Sequence, residues 1–302
     1  MVRACIASLW LVWLCAGVAA AQPVPTAHPL LWRIAGPTPS YLYGTIHVPD
    51  ERVLALPAVV VQALDTSRVF CSEVRMDADS QARAAAGALL PAGQTLDEVL
   101  PPALYGRAER YLAARDLDIA VFARMKVWSL ASVLSLLDQL EPMARRPGLD
   151  ALLQQRAAAA GKRLDALEKV GDQLALLDSL GREGELAMLR QSLDHLESVP
   201  PGQPGPVEQM IRVYLEGDTD VLMAVAFEYA DFDDPLTAEF MDALIDRRNL
   251  GMAAGIERRI AANAGTGYFF AVGALHLPGP EGILALLAKR GLDVERVRPG
   301  LP

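Results

Sequence analysis

The chain has 302 residues, 52% of them hydrophobic, and a formal net charge of -9. That acidic balance excludes a nucleic-acid binder, which needs basic patches against phosphate. The length suits one large domain carrying an insertion.

The chain opens with Arg3, an apolar stretch over 4–18 and the small run Ala19-Ala20-Ala21, which is the layout of a secretory signal peptide. The stretch is shorter than the roughly 20 residues a membrane span needs. Cleavage is expected near Ala21, leaving a periplasmic or secreted domain over 22–302 with no stable membrane insertion. Cys5 and Cys15 fall inside the signal, so Cys71 stands alone and reads as a buried core thiol without a disulfide.

Next comes a short strand at 30–34, the turn Gly36-Pro37-Thr38-Pro39 and a second strand at 40–46, together a hairpin. A helix is predicted at 56–64, then a strand at 68–74 that ends near Glu73. From about 77 to 262 apolar residues recur at helical spacing. The helices expected there cover 78–90, 102–115, 121–140, 149–160, 171–196, 207–216, 219–229 and 237–263. A short strand at 162–168 and a Pro- and Gly-containing loop at 198–206 interrupt them. Strand character returns at 268–274, followed by a helix at 280–290 and a last strand at 293–297. The pattern predicts an α+β fold: a central mixed sheet built from N- and C-terminal strands, with a large helical insertion. The order of the strands is not legible.

Two segments share one grammar, Gly44-Thr45-Ile46-His47 and Gly273-Ala274-Leu275-His276. Each closes an apolar strand and delivers a His just before a Pro-containing turn, a common way to present an imidazole in a cleft. A single strand-end His reads as a packed ring bonded to a carbonyl; two copies of one grammar reverse that reading. His28 and His195 read as ordinary surface residues, and Tyr41 and Tyr43 as packing. No serine elbow, His-Glu-x-x-His, phosphate loop, paired Cys-x-x-Cys or dinucleotide fingerprint is present.

Metal binding and acid–base work therefore stay open. Imidazole with carboxylate suits zinc, manganese, cobalt or iron. Glu73 is the third group, as ligand or as proton acceptor, and Glu168 at the end of the internal strand is a second choice. Arg248 belongs either to a solvated helix face or to an acidic pocket, where it would hold a substrate carboxylate or orient Glu73.

These residues resemble the TraB/GumN family, which includes PrgY and is related to the Tiki proteins. The resemblance is carried by Tyr41-Leu42-Tyr43-Gly44-Thr45-Ile46-His47, Glu73, Gly148-Leu149-Asp150, Leu167-Glu168 with Gln173, Arg248-Asn249 with Met252, and the segment from Gly273 to Gly279 with Gly282. It implies a metal-dependent hydrolase fold with both His and the early Glu at its centre. Tiki relatives resemble metalloproteases using manganese or cobalt, and other distant relatives are esterase-like or bind haem iron. Lys169 departs from the pattern, standing where a small hydroxyl residue is expected.

The reading is an exported metal-dependent hydrolase, a peptidase acting on a peptide or protein through a metal-activated water. His47, His276 and Glu73 would bind a divalent metal, manganese or cobalt in preference to zinc. Glu73, Arg248 and Glu168 would be catalytic, with Asp150 in support. The competing reading is a non-catalytic periplasmic accessory protein that binds haem, metal or peptide.

Overall fold

The computed structural model describes residues 23–200, 202–228 and 230–300; the expected signal segment 1–21 lies outside them. Its frame is a six-stranded mixed sheet of β1 (Leu31–Ile34), β2 (Ser40–Thr45), β3 (Val69–Ser72), β4 (Arg163–Ala166), β5 (Tyr268–Gly273) and β6 (Val294–Arg296). The order across the sheet is β4-β3-β5-β2-β1-β6.

β1 and β2 form the expected antiparallel hairpin, with Leu31 opposite Tyr43. β6 closes that edge antiparallel to β1. β5 then inserts between β2 and β3, parallel to both, and β4 lies parallel to β3. A central parallel strand is covered on both faces and needs a continuous apolar run rather than alternation. Tyr268-Phe269-Phe270-Ala271-Val272 supplies that run, and all five are buried. The internal strand thus joins the same sheet as the terminal ones.

Helices cover the sheet, among them α1 (Glu51–Leu54), α2 (Ala58–Thr66), α8 (Leu149–Ala159), α11 (Pro206–Glu216), α12 (Thr219–Ala226), α14 (Arg247–Ala262) and α15 (Ile283–Lys289). Their shared core includes Tyr43, Phe70, Cys71, Leu153, Ile256 and Phe269. Phe269 stacks on Phe70 with ring centroids 6.1 Å apart and tilts against Tyr43 at 5.9 Å.

A second core lies within the insertion, between α4 (Leu96–Val99), α5 (Pro102–Ala113), α6 (Val127–Ser135) and α10 (Gly181–Ser198). Leu186, Leu189, Leu193 and Leu196 make the i, i+3, i+7 and i+10 stripe of α10, which packs on α6. α3 (Ala78–Gly87), α7 (Leu140–Arg145), α9 (Val170–Asp178) and α13 (Pro235–Met241) complete the α-helices among the described residues.

Several expected long helices are broken, each for a local reason. The helix predicted at 121–140 is a 3-10 turn Ile119–Phe122, then α6, a second 3-10 turn Leu137–Gln139 and α7. Its first break arises because the backbone there pairs elsewhere. Leu90 N–H donates to Arg124 O at 2.7 Å and Lys126 N–H to Ala88 O at 2.8 Å. The helix predicted at 171–196 splits into α9 and α10 beside Gly181, whose φ of 61° is left-handed. The helix predicted at 56–64 is α2, which begins after Pro57; α1, before that proline, was not expected. α4 was not expected; Glu98 accepts from Thr95 N–H at 3.0 Å and so caps its start.

Candidate functional site

The four parallel strands β2, β3, β4 and β5 all end on one edge of the sheet, where open α/β sheets bind their ligands. His47 follows β2, Glu73 follows β3, Glu168 follows β4 and His276 follows β5. Register therefore gathers residues that lie far apart in the chain.

The two histidines are held in the same way. His47 Nδ1 lies 2.5 Å from Asp150 Oδ2, and Asp150 Oδ1 accepts from Thr45 Oγ1 at 2.6 Å. Asp150 sits in the first turn of α8, where the helix dipole favours a negative charge. His276 Nδ1 lies 2.7 Å from Asn249 Oδ1. In both rings Nδ1 is thus taken and Nε2 is left to face the site. His276 Nε2 is 3.8 Å from Glu73 Oε1. The His276 side chain is 6% exposed and the His47 side chain 64%, so His276 forms the floor of the site and His47 its open side.

Glu73 is the hub. One carboxylate oxygen accepts from the Gly273 N–H, and the other meets Arg248 Nη2 at 2.6 Å. Arg248 also donates to Glu168, Nη2 to Oε2 at 2.8 Å and Nε to Oε1 at 3.1 Å, and its Nη1 donates to Leu244 O at 3.1 Å. Gln173 Nε2 donates to Glu168 Oε2 at 2.8 Å and lies 3.4 Å from Glu73 Oε2. The Arg248, Glu73 and Glu168 side chains are only 11–16% exposed, so this is a desolvated ion-pair cluster.

Gly273 marks the space these groups surround. A Cβ there would sit 3.0 Å from Glu73 Oε1, 3.5 Å from His276 Cδ2 and 3.9 Å from His47 Nε2. Any side chain would enter the site itself, which explains why the second motif needs glycine. Gly44 serves packing instead, since a Cβ would lie 2.6 Å from Leu277 Cδ1.

The electrostatics separate the groups. Burial alone would raise the Glu73 pKa, but His276, His47, Arg248 and the Gly273 N–H outweigh it and hold the carboxyl ionised below its ordinary range. Asp150 raises the His47 pKa through its charge and hydrogen bond, against the opposing effect of desolvation. Burial lowers that of His276, with the Glu73 charge opposing. The site combines an anionic base, a buried imidazole whose charged form burial disfavours and an open imidazole beside a carboxylate.

The chemistry of the donors fits a divalent cation in part. Two imidazole Nε2 atoms with a carboxylate suit a borderline ion. Ligating histidines almost always give the other ring nitrogen to a carboxylate or carbonyl, the arrangement seen on both rings. Glu73, however, already spends both oxygens on Arg248 and Gly273. Among the described residues no group of three or more His, Cys, Asp or Glu side chains is gathered closely enough to hold a metal.

Of the residues singled out in the sequence, His47, Glu73, Asp150, Glu168, Gln173, Arg248 and His276 converge here. His28 is exposed near the start of the described chain, and His195 is half-buried on α10. Arg248 lies in the acidic pocket rather than on a solvated face. Sequence reasoning gave no role to Thr45, to Asn249 or to the Gly273 N–H. The first two had a signal: Thr45 is a polar residue in an apolar strand, and Asn249 stands in register with the apolar stripe Met252, Ala253 and Ile256.

No solved structure matches the chain. Among curated proteins it is similar to the metalloprotease TIKI1 of Danio rerio, 30% identical over 93% of this chain and 65% of that protein. It is also similar to a metalloprotease TIKI homolog of Amphimedon queenslandica, 26% identical over 90% and 62%, and to human metalloprotease TIKI1, 27% identical over 90% and 62%. The chain spans less than two-thirds of these relatives. The model of the TraB/PrgY/gumN family matches residues 30–296, a span that contains every group of the site, and the chain belongs to that family.

Proposed function

We propose that this chain is an exported, divalent-metal-dependent hydrolase that cleaves peptides or proteins. One observation carries the reading: two imidazoles, each anchored through Nδ1, turn Nε2 toward the space beside Gly273 that the Glu73 carboxylate also lines. Relatives named metalloproteases support the reaction class. The apolar N-terminal segment supports export to the periplasm or medium.

His47 and His276 would hold the ion, and Glu73 would act as third ligand or as general base. Manganese or cobalt, ahead of zinc, is the proposed ion. Such an ion supplies Lewis acidity, polarising a carbonyl and making water a better nucleophile near neutral pH. The chain supplies the rest. Glu73, kept ionised, accepts a proton at a carboxylate oxygen. Arg248 orients Glu73 and Glu168, and Gln173 braces both. With its guanidinium committed to these two carboxylates, Arg248 acts as an orienting group rather than a substrate anchor.

The test is cleavage of a peptide library by the purified chain reloaded with manganese, cobalt or zinc, beside His276→Ala. Cleavage by the parent chain alone supports the proposal. Equal cleavage by the variant, or none by either, overturns it. The engagement of both Glu73 oxygens favours a second reading, a binding protein whose His pair captures metal or haem iron without turnover. It predicts metal retention or a visible haem band with no cleavage.

A further inference from the structure

Arg248 and Asn249 are adjacent, yet they serve different groups. Before them the helix widens into a π turn, Asp242–Asp246, where Arg247 N–H donates to Asp242 O five residues back. Such turns are frequent at functional sites. Beyond it the buried stripe of α14 runs through Asn249, Met252, Ala253 and Ile256, the spacing of one helical face. Asn249 is its polar member and is 1% exposed.

A buried amide is costly unless its groups are bonded, and here both are. Nδ2 donates to Glu281 O at 3.0 Å, and Oδ1 lies 2.7 Å from His276 Nδ1. Hydrogen-bond inventory fixes the rest. The Glu281 carbonyl can only accept, so the NH2 group of Asn249 must face it and the amide oxygen must face the ring. That oxygen also can only accept, so His276 Nδ1 must carry the hydrogen. The lone pair of a neutral His276 is then on Nε2, the nitrogen 3.8 Å from Glu73 Oε1.

We infer that Asn249 is a positioning residue: anchored on the Glu281 carbonyl, it locks His276 as the Nδ1–H tautomer and aims Nε2 into the space between Glu73 and His47. This rests on the proposed function only for what Nε2 binds; the tautomer itself requires no ligand.

The first arm of the test is NMR of the 15N-histidine-labelled chain, with His276 assigned by comparison with His276→Ala. The expected pattern is a protonated Nδ1 and a pyridine-type Nε2; a protonated Nε2 overturns the inference. The second arm titrates manganese(II) alone into the chain by calorimetry. Asn249→Leu, similar in shape but without an acceptor, should weaken binding by about 10–100-fold. Asn249→Asp keeps an acceptor for Nδ1–H but loses the donor to the Glu281 carbonyl, and should recover part of that loss. Parental affinity in the Leu variant, or equal loss in both, overturns the inference. If the Leu variant does not fold, the NMR arm decides. A parental chain that shows the Nδ1–H pattern but binds neither manganese nor, in a parallel titration, cobalt would remove the metal reading and leave the assignment of Asn249 standing.

Discussion

In the sheet core, each parallel strand ends one to three residues before a group of the site: His47, Glu73, Glu168 or His276. In the helical core, Leu130, Leu134, Leu189 and Leu193 are as deeply buried, yet among the described residues none of its helices places a side chain in the site. The difference lies in what each architecture leaves unfinished. Parallel strands end together on one edge and release backbone and side chains into a crevice. Packed helices bury their stripes against one another and bond most of their backbone within themselves.

The two regions touch the same element at its two ends. α9 carries Gln173, which braces Glu73 and Glu168, and ends at Asp178, which accepts from Lys126 Nζ at 2.7 Å and Trp128 Nε1 at 3.0 Å. The helical core therefore reaches the site through one helix rather than through its own residues.

The comparison breaks first where burial is deepest. Phe269→Ala removes a ring packed between Tyr43 and Phe70 and should cost about 3–5 kcal/mol, with metal retention lost as the sheet loosens. Urea denaturation with metal analysis of the folded fraction reads both effects. Arg248→Met should cost a similar amount, about 3–5 kcal/mol, because two buried carboxylates lose their partner. Arg248→Lys should recover only part of it, since an ammonium cannot reproduce the fork. Equal stability of the Met variant and the parent would refute the ion-pair cluster.

Leu130→Ala sharpens the contrast. It should cost about 2–5 kcal/mol yet leave the metal content of the folded chain unchanged, because no site group lies in that core. Lost metal in a folded Leu130→Ala chain would show that the helical core shapes the site after all.

Acid stability probes the sheet region away from the site. Arg52 bonds Glu208 and holds its pKa down, from 4.5 to about 2. The contribution of this bridge is complete above pH 4.5 and is lost as the pH falls toward about 2. Arg52→Met should flatten the stability profile in that window, as measured by thermal melts at successive pH values; an unchanged profile would show that the bridge contributes nothing. The smallest effect belongs to Lys126→Met, which should cost no more than about 1 kcal/mol, since its partner Asp178 is half exposed.

Much of this was legible in particular residues. The hairpin could be read from Gly36-Pro37-Thr38-Pro39 between apolar runs, and β5 from its aromatic run. The two Gly-x-x-His segments pointed to one place once both ends of the chain were assigned to one sheet. The order β4-β3-β5-β2-β1-β6 could not be read, because pairing between distant strands leaves no local pattern. The breaks at Gly181 and at the pairing of Leu89 with Met125 were hidden because apolar spacing runs on through them. Arg248 was ambiguous beside Arg247, Arg258 and Arg259, and only the fold shows that, of these four, it bonds Glu73 and Glu168.

The central claim is that His47 and His276 form a metal centre. Elemental analysis of the chain and its His47→Ala/His276→Ala double variant, each reloaded with manganese, cobalt and zinc, tests it most directly. Roughly one tightly held ion per parental chain and none in a folded double variant is the expected result. Equal metal content in the two would contradict it.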